Sequence, residues 1–549
     1  MRDDSKTGPQ HRGTEESKNF SPGIPPTEPT TALVSAFWRD IMKFAREPAL
    51  YSLGHTNGVG TTLTPSVADG EKGLRRLLEA TMLSRREQGD ILPSLLARQC
   101  CEFYESLDLS HRKDFLRTLG RDFGKCLAHQ VVASAQAYID AVAAVCGTEI
   151  PTILPRAEET LRESLRPLYE KFFDQIRGLP GGMPFLITMR SNLLDILKQE
   201  GSDPHLRALN ESLKSQLKQW FGIGSLDLER ISWDTSASVL EKIVHYEAVH
   251  AVPTWQALKQ RLGPGRLCYA FFHKGMPQEP LTFVQIALLK EVAGNVQDML
   301  NNPHPEVIDP TVAIFYSISS SQKGLAGVDL GNFLIKRVVT ELQTFLPTVS
   351  TFCTLSPIPG FRRWLTTALN QDVSELLTGE ESTSIKRFAG EKKSSASSIL
   401  SVGKRSYFLA NRETQEVLRP ILLRLCARYL VLEKRRSLAL DPVGNFHIRN
   451  GACMHRLNWM GDSSAKGLAQ SFGIMVNYNY ILPLVEENNQ AYLVDGSITL
   501  TNECVNAKPD DGPEMTALQW AVKQAPEAQR MDDRGVVRVR IGRDRVANL

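Results

Sequence analysis

The feature that most constrains how this chain can fold is the segment from Ser319 to Phe361, SSSQKGLAGVDLGNFLIKRVVTELQTFLPTVSTFCTLSPIPGF. Residues 311–318 before it (TVAIFYSI) are β-branched and aromatic, the composition of a buried strand. GLAGVDLG then leads into NFLIKRVVTELQ, in which Phe333, Leu334, Val338 and Leu342 share one helical face. A second strand, residues 350–356, ends in a serine. Strand, flexible turn, helix and strand in this order build a site. The turn opens a helix, so unpaired backbone N–H groups and the positive end of the helix dipole stand together, which suits a phosphate or pyrophosphate. The same glycines also serve a plain strand-to-helix connection, and a lone glycine-rich turn does not choose between the two.

Around this unit the chain of 549 residues has room for two or three domains with cores of their own. Lys and Arg number 64 against 61 Asp and Glu, a net charge of +3, so no global field points to nucleic acid as a partner. No apolar run reaches the length of a membrane span. The 9 cysteines are dispersed without zinc-type Cys/His spacing, which points to a reducing compartment and to no structural metal. Residues 1–20 lack both a signal-peptide core and the acid-poor bias of a mitochondrial presequence, so the expected compartment is the cytosol. The terminal Ala547-Asn548-Leu549 loosely resembles a peroxisomal address, with Asn548 where that signal has a basic residue, and makes the peroxisome the second choice.

Residues 1–60 read as a flexible tail, polar and rich in Pro, Thr, Gly and Ser at their start. Residues 61–222 read as a helical bundle, with Leu95, Leu96, Phe103 and Leu107, then Phe115, Leu116 and Leu119, at helical spacing. Leu161, Leu165, Leu168, Phe172 and Ile176 keep one continuous helical period, and Leu209, Leu213, Leu217 and Trp220 repeat it. Stripes of this kind, without a dense cluster of catalytic residue types, serve core packing and subunit assembly. From residue 223 strands alternate with helices: 267–272, 281–289, 311–318, 350–356 and 473–481 read as strands, so 223–506 is expected to be an α/β domain with a mixed sheet. Within it, residues 378–406, rich in Ser, Lys and Glu, read as a mobile surface insertion. Residues 507–549 read as a C-terminal tail, with VVRVRIGRDR able to add an edge strand.

No G-x-S-x-G elbow, H-E-x-x-H helix or P-loop occurs. What remains beside the opening unit is residues 441–480, DPVGNFHIRNGACMHRLNWMGDSSAKGLAQSFGIMVNYNY. On these stretches, with YEAVHAVPTWQALKQRLGPGRLCYAFFH, MPQEPLTFVQIAL and LSPIPGFRRWL, the chain resembles the malonyl-CoA decarboxylase family over about residues 214–481. The resemblance implies an all-α N-terminal helical bundle that assembles the protein into a tetramer, followed by an α/β domain similar to the Gcn5-related N-acetyltransferase fold. It implies conversion of malonyl-CoA to acetyl-CoA and carbon dioxide, which affects fatty-acid synthesis and oxidation through malonyl-CoA levels. In acetyltransferase-like folds the fourth strand, the next turn and its helix hold coenzyme A, and the thioester lies where the fourth and fifth strands splay. By resemblance, then, residues 311–318 are the fourth strand, Ala326, Gly327, Val328, Asp329, Leu330, Gly331 and Asn332 the coenzyme A turn, and residues 351–356 the fifth strand. The turn departs from the Q/R-x-x-G-x-G/A of that fold, keeping only its last glycine. Asp329 stands where the family carries Glu, as a helix cap or as catalytic support.

Decarboxylation of a malonyl thioester needs no metal or organic cofactor, because the thioester carbonyl itself accepts the electron pair as carbon dioxide leaves. The protein must supply hydrogen bonds to the developing enolate oxygen and a proton to the α-carbon. The resemblance places Ser356, His447 and Tyr480 there: Ser356 for hydrogen bonding and proton exchange, His447 for proton donation or enolate stabilisation, with either able to deliver the proton. On residues alone, His455 rivals His447, a serine before Pro357 also simply ends a strand, and Tyr480 is also a core tyrosine whose hydroxyl needs a partner. Asp462-Ser463-Ser464 reads as a helix N-cap, and Lys336 and Arg337 as a solvated helix face. Two other functions compete for a coenzyme A cleft: an acyltransferase acting on amines, and a non-catalytic acyl-CoA sensor.

Overall fold

The computed structural model describes residues 70–82, 91–124, 128–144, 152–201, 203–301, 307–371, 376–389, 412–525, 527–530 and 535–540. The expected tail 1–60, residues 390–406 of the expected insertion, and Ala547, Asn548 and Leu549 lie outside them. The chain divides into two compact units between Leu77 and Leu78; of the first, residues 70–77 begin the helix Gly70–Met82.

The second unit opens with helices Ile91–Ser106, Leu109–Phe123, Ala128–Ala143, Ile153–Ser164, Leu168–Arg177, Gly182–Glu200 and Pro204–Trp220. Asp108 and Asp203 start two of them, each carboxylate accepting first-turn backbone N–H bonds. Leu209, Leu213, Leu217 and Trp220 are buried along Pro204–Trp220, the face their spacing predicts. The period running from Leu161 to Ile176 is not one helix. Pro167 has no N–H with which to continue it and stands at the N-cap of Leu168–Arg177, so Leu165 falls off the stripe and is 51% exposed.

Strands follow: β1 (Leu226–Ile231), β2 (Arg266–His273), β3 (Thr282–Leu289), β4 (Val312–Ser320), β5 (Thr351–Thr354), β6 (Ser356–Pro357), β7 (Lys434–Arg435), β8 (Leu438–Ala439), β9 (Cys453–Asn458), β10 (Met475–Asn479), β11 (Ile498–Thr501), β12 (Glu527–Arg530) and β13 (Val536–Arg540). All but β7 and β8 join one mixed sheet in the order β1-β2-β3-β4-β5-β10-β9-β11-β13-β12, with β6 on β10. The architecture is thus a helical N-terminal region followed by an α/β acetyltransferase-like domain. The helix Leu330–Phe345 crosses from β4 to β5, which makes those two strands parallel, and buries Leu334, Val338 and Leu342 in the main core.

One local feature positions the site. β4 and β5 pair from Val312↔Thr351 to Phe315↔Thr354, and Leu355 N–H still bonds Phe315 C=O at 3.1 Å. Beyond that point β4 continues beside β3 to Ser320, whereas Ser356 turns to β10 opposite Val476. The two parallel strands therefore part at Ser356.

Two expectations are corrected. Residues 379–389, expected to be mobile, form the helix Gly379–Ala389. Thr378 and Glu381 cap it reciprocally, Ile385 is buried, and Arg424 holds Glu381 at 2.6 Å, so a local T-x-x-E signal and one apolar anchor override the polar composition. Residues expected to trail as a C-terminal tail instead complete the core. The helix Pro513–Lys523 buries Ala517, Leu518, Ala521 and Val522, and β13 pairs with β11 through buried Val536, Val537 and Val539.

Candidate active site

The parting of β4 and β5 opens a cleft of about 550 Å³. Its walls include Ser317 and Ser320 of β4, Ala326, Gly327, Val328, Asp329, Leu330 and Gly331 of the turn, and Ser356, Phe446 and His447. The side chain of Asn332 lies outside the described residues. Gly327 takes φ +78°, a left-handed conformation that favours glycine. Gly331 lets the Phe446 ring approach, since a Cβ there would lie 3.0 Å from it.

His447 arrives from downstream on the helix Pro442–Arg449. Asp441 caps that helix by accepting from Val443 N–H at 3.0 Å and Gly444 N–H at 2.8 Å, and Pro442 occupies its first turn. Burial pushes the Asp441 carboxyl up to about 6, against the pull of these bonds and of the Tyr429 hydroxyl at 3.2 Å. Tyr480 follows β10 and is fixed by its own N–H bonding Phe352 C=O at 2.8 Å.

These elements bring Ser356, His447 and Tyr480 into one chain. Ser356 Oγ donates to Thr354 Oγ1 at 2.8 Å and lies 3.0 Å from His447 Nε2; His447 Nδ1 lies 2.9 Å from the Tyr480 hydroxyl. Burial pushes the His447 pKa down to about 3, so the imidazole is neutral and carries one N–H. Because the Ser356 proton points to Thr354, that N–H sits on Nε2 and donates to Ser356, and Nδ1 accepts from Tyr480. Tyr478 stacks on the imidazole at 4.8 Å with 23° between the planes. The hydrogen bonds run in one direction through neutral groups, from Tyr480 to His447 to Ser356 to Thr354, at the point where the strands part.

Asp329 lies elsewhere in the cleft wall. It holds the N-cap position of Leu330–Phe345 without a side-chain cap bond, and its carboxylate is 3.9 Å from Lys218 Nζ. Among the described residues it makes no hydrogen bond to Ser356 or His447. His455, the rival histidine, is occupied by Thr501 at 3.1 Å and Glu503 at 3.3 Å, away from the cleft lining. Lys336 and Arg337 are exposed on the helix and do not line the cleft. Ser464 caps its helix, accepting from Gly467 N–H at 3.1 Å. Reading the residues missed Thr354, Tyr478 and Asp441. Thr354 and Tyr478 each lie two residues from a named site residue, on the same face by strand alternation, and Asp441-Pro442 is a helix-start signature. Among the described residues no group of three or more His, Cys, Asp or Glu could hold a metal ion.

A helical region, a mixed sheet parted between two parallel strands and a glycine turn opening the crossover helix define an acetyltransferase-like protein with an elaborated N-terminal half. Residues 224–517 match the malonyl-CoA decarboxylase C-terminal domain, and residues 109–221 the N-terminal domain. The chain belongs to the malonyl-CoA decarboxylase family. It is 40% identical over 431 residues to the mitochondrial malonyl-CoA decarboxylase of Mus musculus, covering 75% of this chain and 86% of that one. The crystal structure of malonyl-CoA decarboxylase from Rhodopseudomonas palustris superposes with a TM-score of 0.66 at 34% identity, over 78% of this chain and 97% of that one. The enzyme from Agrobacterium vitis gives 0.66 at 32%, over 77% and 96%.

Proposed function

We propose that this chain is a carboxy-lyase that converts malonyl-CoA to acetyl-CoA and carbon dioxide. The observation that carries the reading is the buried Ser356–His447–Tyr480 chain at the parting of β4 and β5. Kinship with malonyl-CoA decarboxylases supports the substrate. The coenzyme A phosphates lie against the turn 326–332, and the malonyl group reaches Ser356.

In the reaction the bond between the α-carbon and the carboxylate breaks, its electron pair enters the thioester as an enolate, and carbon dioxide leaves. One solvent-derived proton then reaches the α-carbon through Ser356 and His447, so the atoms and charge balance without a metal or organic cofactor. The neutral imidazole matters here. A fixed cation would stabilise the reactant carboxylate, whereas hydrogen-bond donors strengthen as charge moves onto the enolate oxygen. Tyr480 holds the imidazole in the tautomer that donates to Ser356. Asp329, paired with Lys218, acts at the turn rather than at the malonyl group.

The helical half supplies the assembly surface of a homo-oligomer, a tetramer by family resemblance. Val132 is 68% exposed, Ile139 58% and Ile153 59%, a density of bare aliphatic side chains on neighbouring helices that a second copy would cover. The functional test is incubation of the protein with malonyl-CoA in the presence of a chelator, beside acetyl-CoA with a panel of amines. Loss of malonyl-CoA with equal gain of acetyl-CoA supports decarboxylation; acylated amine supports transfer instead.

A further inference from the structure

The turn that faces the cleft is held from outside the α/β domain. Arg190, on the helix Gly182–Glu200, is 1% exposed, and its guanidinium forks across two carbonyls of the turn region: Nη1 donates to Gly324 C=O at 2.5 Å and Nη2 to Ala326 C=O at 2.9 Å. Its Nε donates to Asn210 Oδ1 at 3.1 Å, on the next helix. Gly324 makes the approach possible, since a Cβ there would stand 1.9 Å from Ile187 C=O of the same helix.

The consequence follows from peptide geometry. Across a trans peptide the C=O and the next N–H point in opposite directions. Drawing the Ala326 carbonyl toward Arg190 therefore turns the Gly327 N–H away from it, at a residue that lines the cleft. That N–H has no acceptor among the described residues, whereas Leu325, Ala326 and Val328 N–H are bonded within the turn. Lys214 stands over the same glycine, its Cε 3.2 Å from where a Cβ would be.

We propose that Arg190 is a positioning residue for coenzyme A. It aims the Gly327 amide at a phosphate of the substrate, so the helical half sets the affinity for the ADP portion of malonyl-CoA. This rests on the decarboxylase reading and deepens it. A rigid bidentate fork is needed, because one ammonium cannot hold both carbonyls in the same geometry.

The test compares malonyl-CoA with malonyl-pantetheine, which carries the reacting group without the phosphates. In Arg190→Gln the ratio of kcat/KM for malonyl-CoA to that for malonyl-pantetheine is expected to fall about tenfold, chiefly through KM for malonyl-CoA. Arg190→Lys, which keeps the buried charge and one carbonyl bond, is expected to give a smaller fall in the same ratio and covers the case in which the glutamine variant does not fold. A merely structural role lowers both substrates alike and leaves the ratio unchanged; that result overturns the proposal. Calorimetry with coenzyme A and pantetheine reads the same difference without turnover. If the unmodified protein decarboxylates neither substrate, the functional reading fails, and weaker coenzyme A binding by the variants still decides the role of Arg190.

Discussion

His447 and Tyr480, 33 residues apart in the chain, meet at 2.9 Å between Nδ1 and the phenolic oxygen, and with Nδ1 accepting there the imidazole keeps its proton on Nε2, facing Ser356. Tyr480→Phe removes the donor to this buried acceptor nitrogen and frees the tautomer. Turnover is expected to fall about 10–100-fold and stability by about 1–3 kcal/mol, read from steady-state kinetics and denaturant midpoints.

Tyr478 gives the opposite expectation. Its ring stacks on His447, yet its hydroxyl is buried without a hydrogen-bond partner among the described residues. Tyr478→Phe keeps the stacking and removes an unsatisfied polar group, so stability is expected to hold or rise by about 1 kcal/mol, with turnover within about threefold of the wild type. A large loss of turnover in this variant would give that hydroxyl a role in the chemistry.

Ser356→Ala and His447→Gln are each expected to lower turnover about 10²–10⁴-fold while the circular dichroism spectrum stays native. The two losses are expected not to add in the double variant, because the groups act as one chain.

His447 should contribute to a loss of stability in acid, beside His250, which burial pushes down to about 4. The folded pKa of His447, about 3, lies below the value of about 6.5 for a free histidine, so between those values the unfolded chain binds the extra proton and stability rises with pH. The contribution is fully present above about pH 6.5 and is lost toward pH 3, by up to about 1.4 kcal/mol per pH unit. Asp441, raised to about 6, acts in the opposite sense between about pH 4 and 6. The wild type compared with His447→Gln isolates the histidine: chemical denaturation from pH 7 to 4 should show a shallower acid loss in the variant.

Charging the bare face of the helical half with Val132→Glu and Ile139→Glu together should shift sedimentation toward smaller species without changing helix content. Unchanged sedimentation would place the subunit contact elsewhere.

How much was legible follows from where each signal lives. The strand–turn–helix–strand unit could be read locally, because a buried parallel strand, a glycine turn and an amphipathic crossover each carry their own pattern over a few residues. β1, β9 and β11 could not. LDLERI and CMHRLN carry charged or polar side chains through the strand, and ITLT is too short to show a period. Ser356 and His447 are 91 residues apart, and only the fold brings them together; family likeness, not spacing, singled them out. Arg190 is invisible for the same reason, its partners Gly324 and Ala326 lying 134 and 136 residues downstream. The expected tail failed because the polar KPDDGPE turn masked the helix behind it.

The measurement that bears most directly on the central claim is the reaction of malonyl-CoA alone, in deuterated water, followed by mass spectrometry of the thioester. Decarboxylation with solvent protonation at Ser356 and His447 predicts acetyl-CoA carrying one deuterium in its methyl group, one carbon dioxide for each malonyl-CoA consumed, and loss of both in Ser356→Ala. Intact malonyl-CoA with folded protein, or its cleavage to malonate and free coenzyme A, would contradict it.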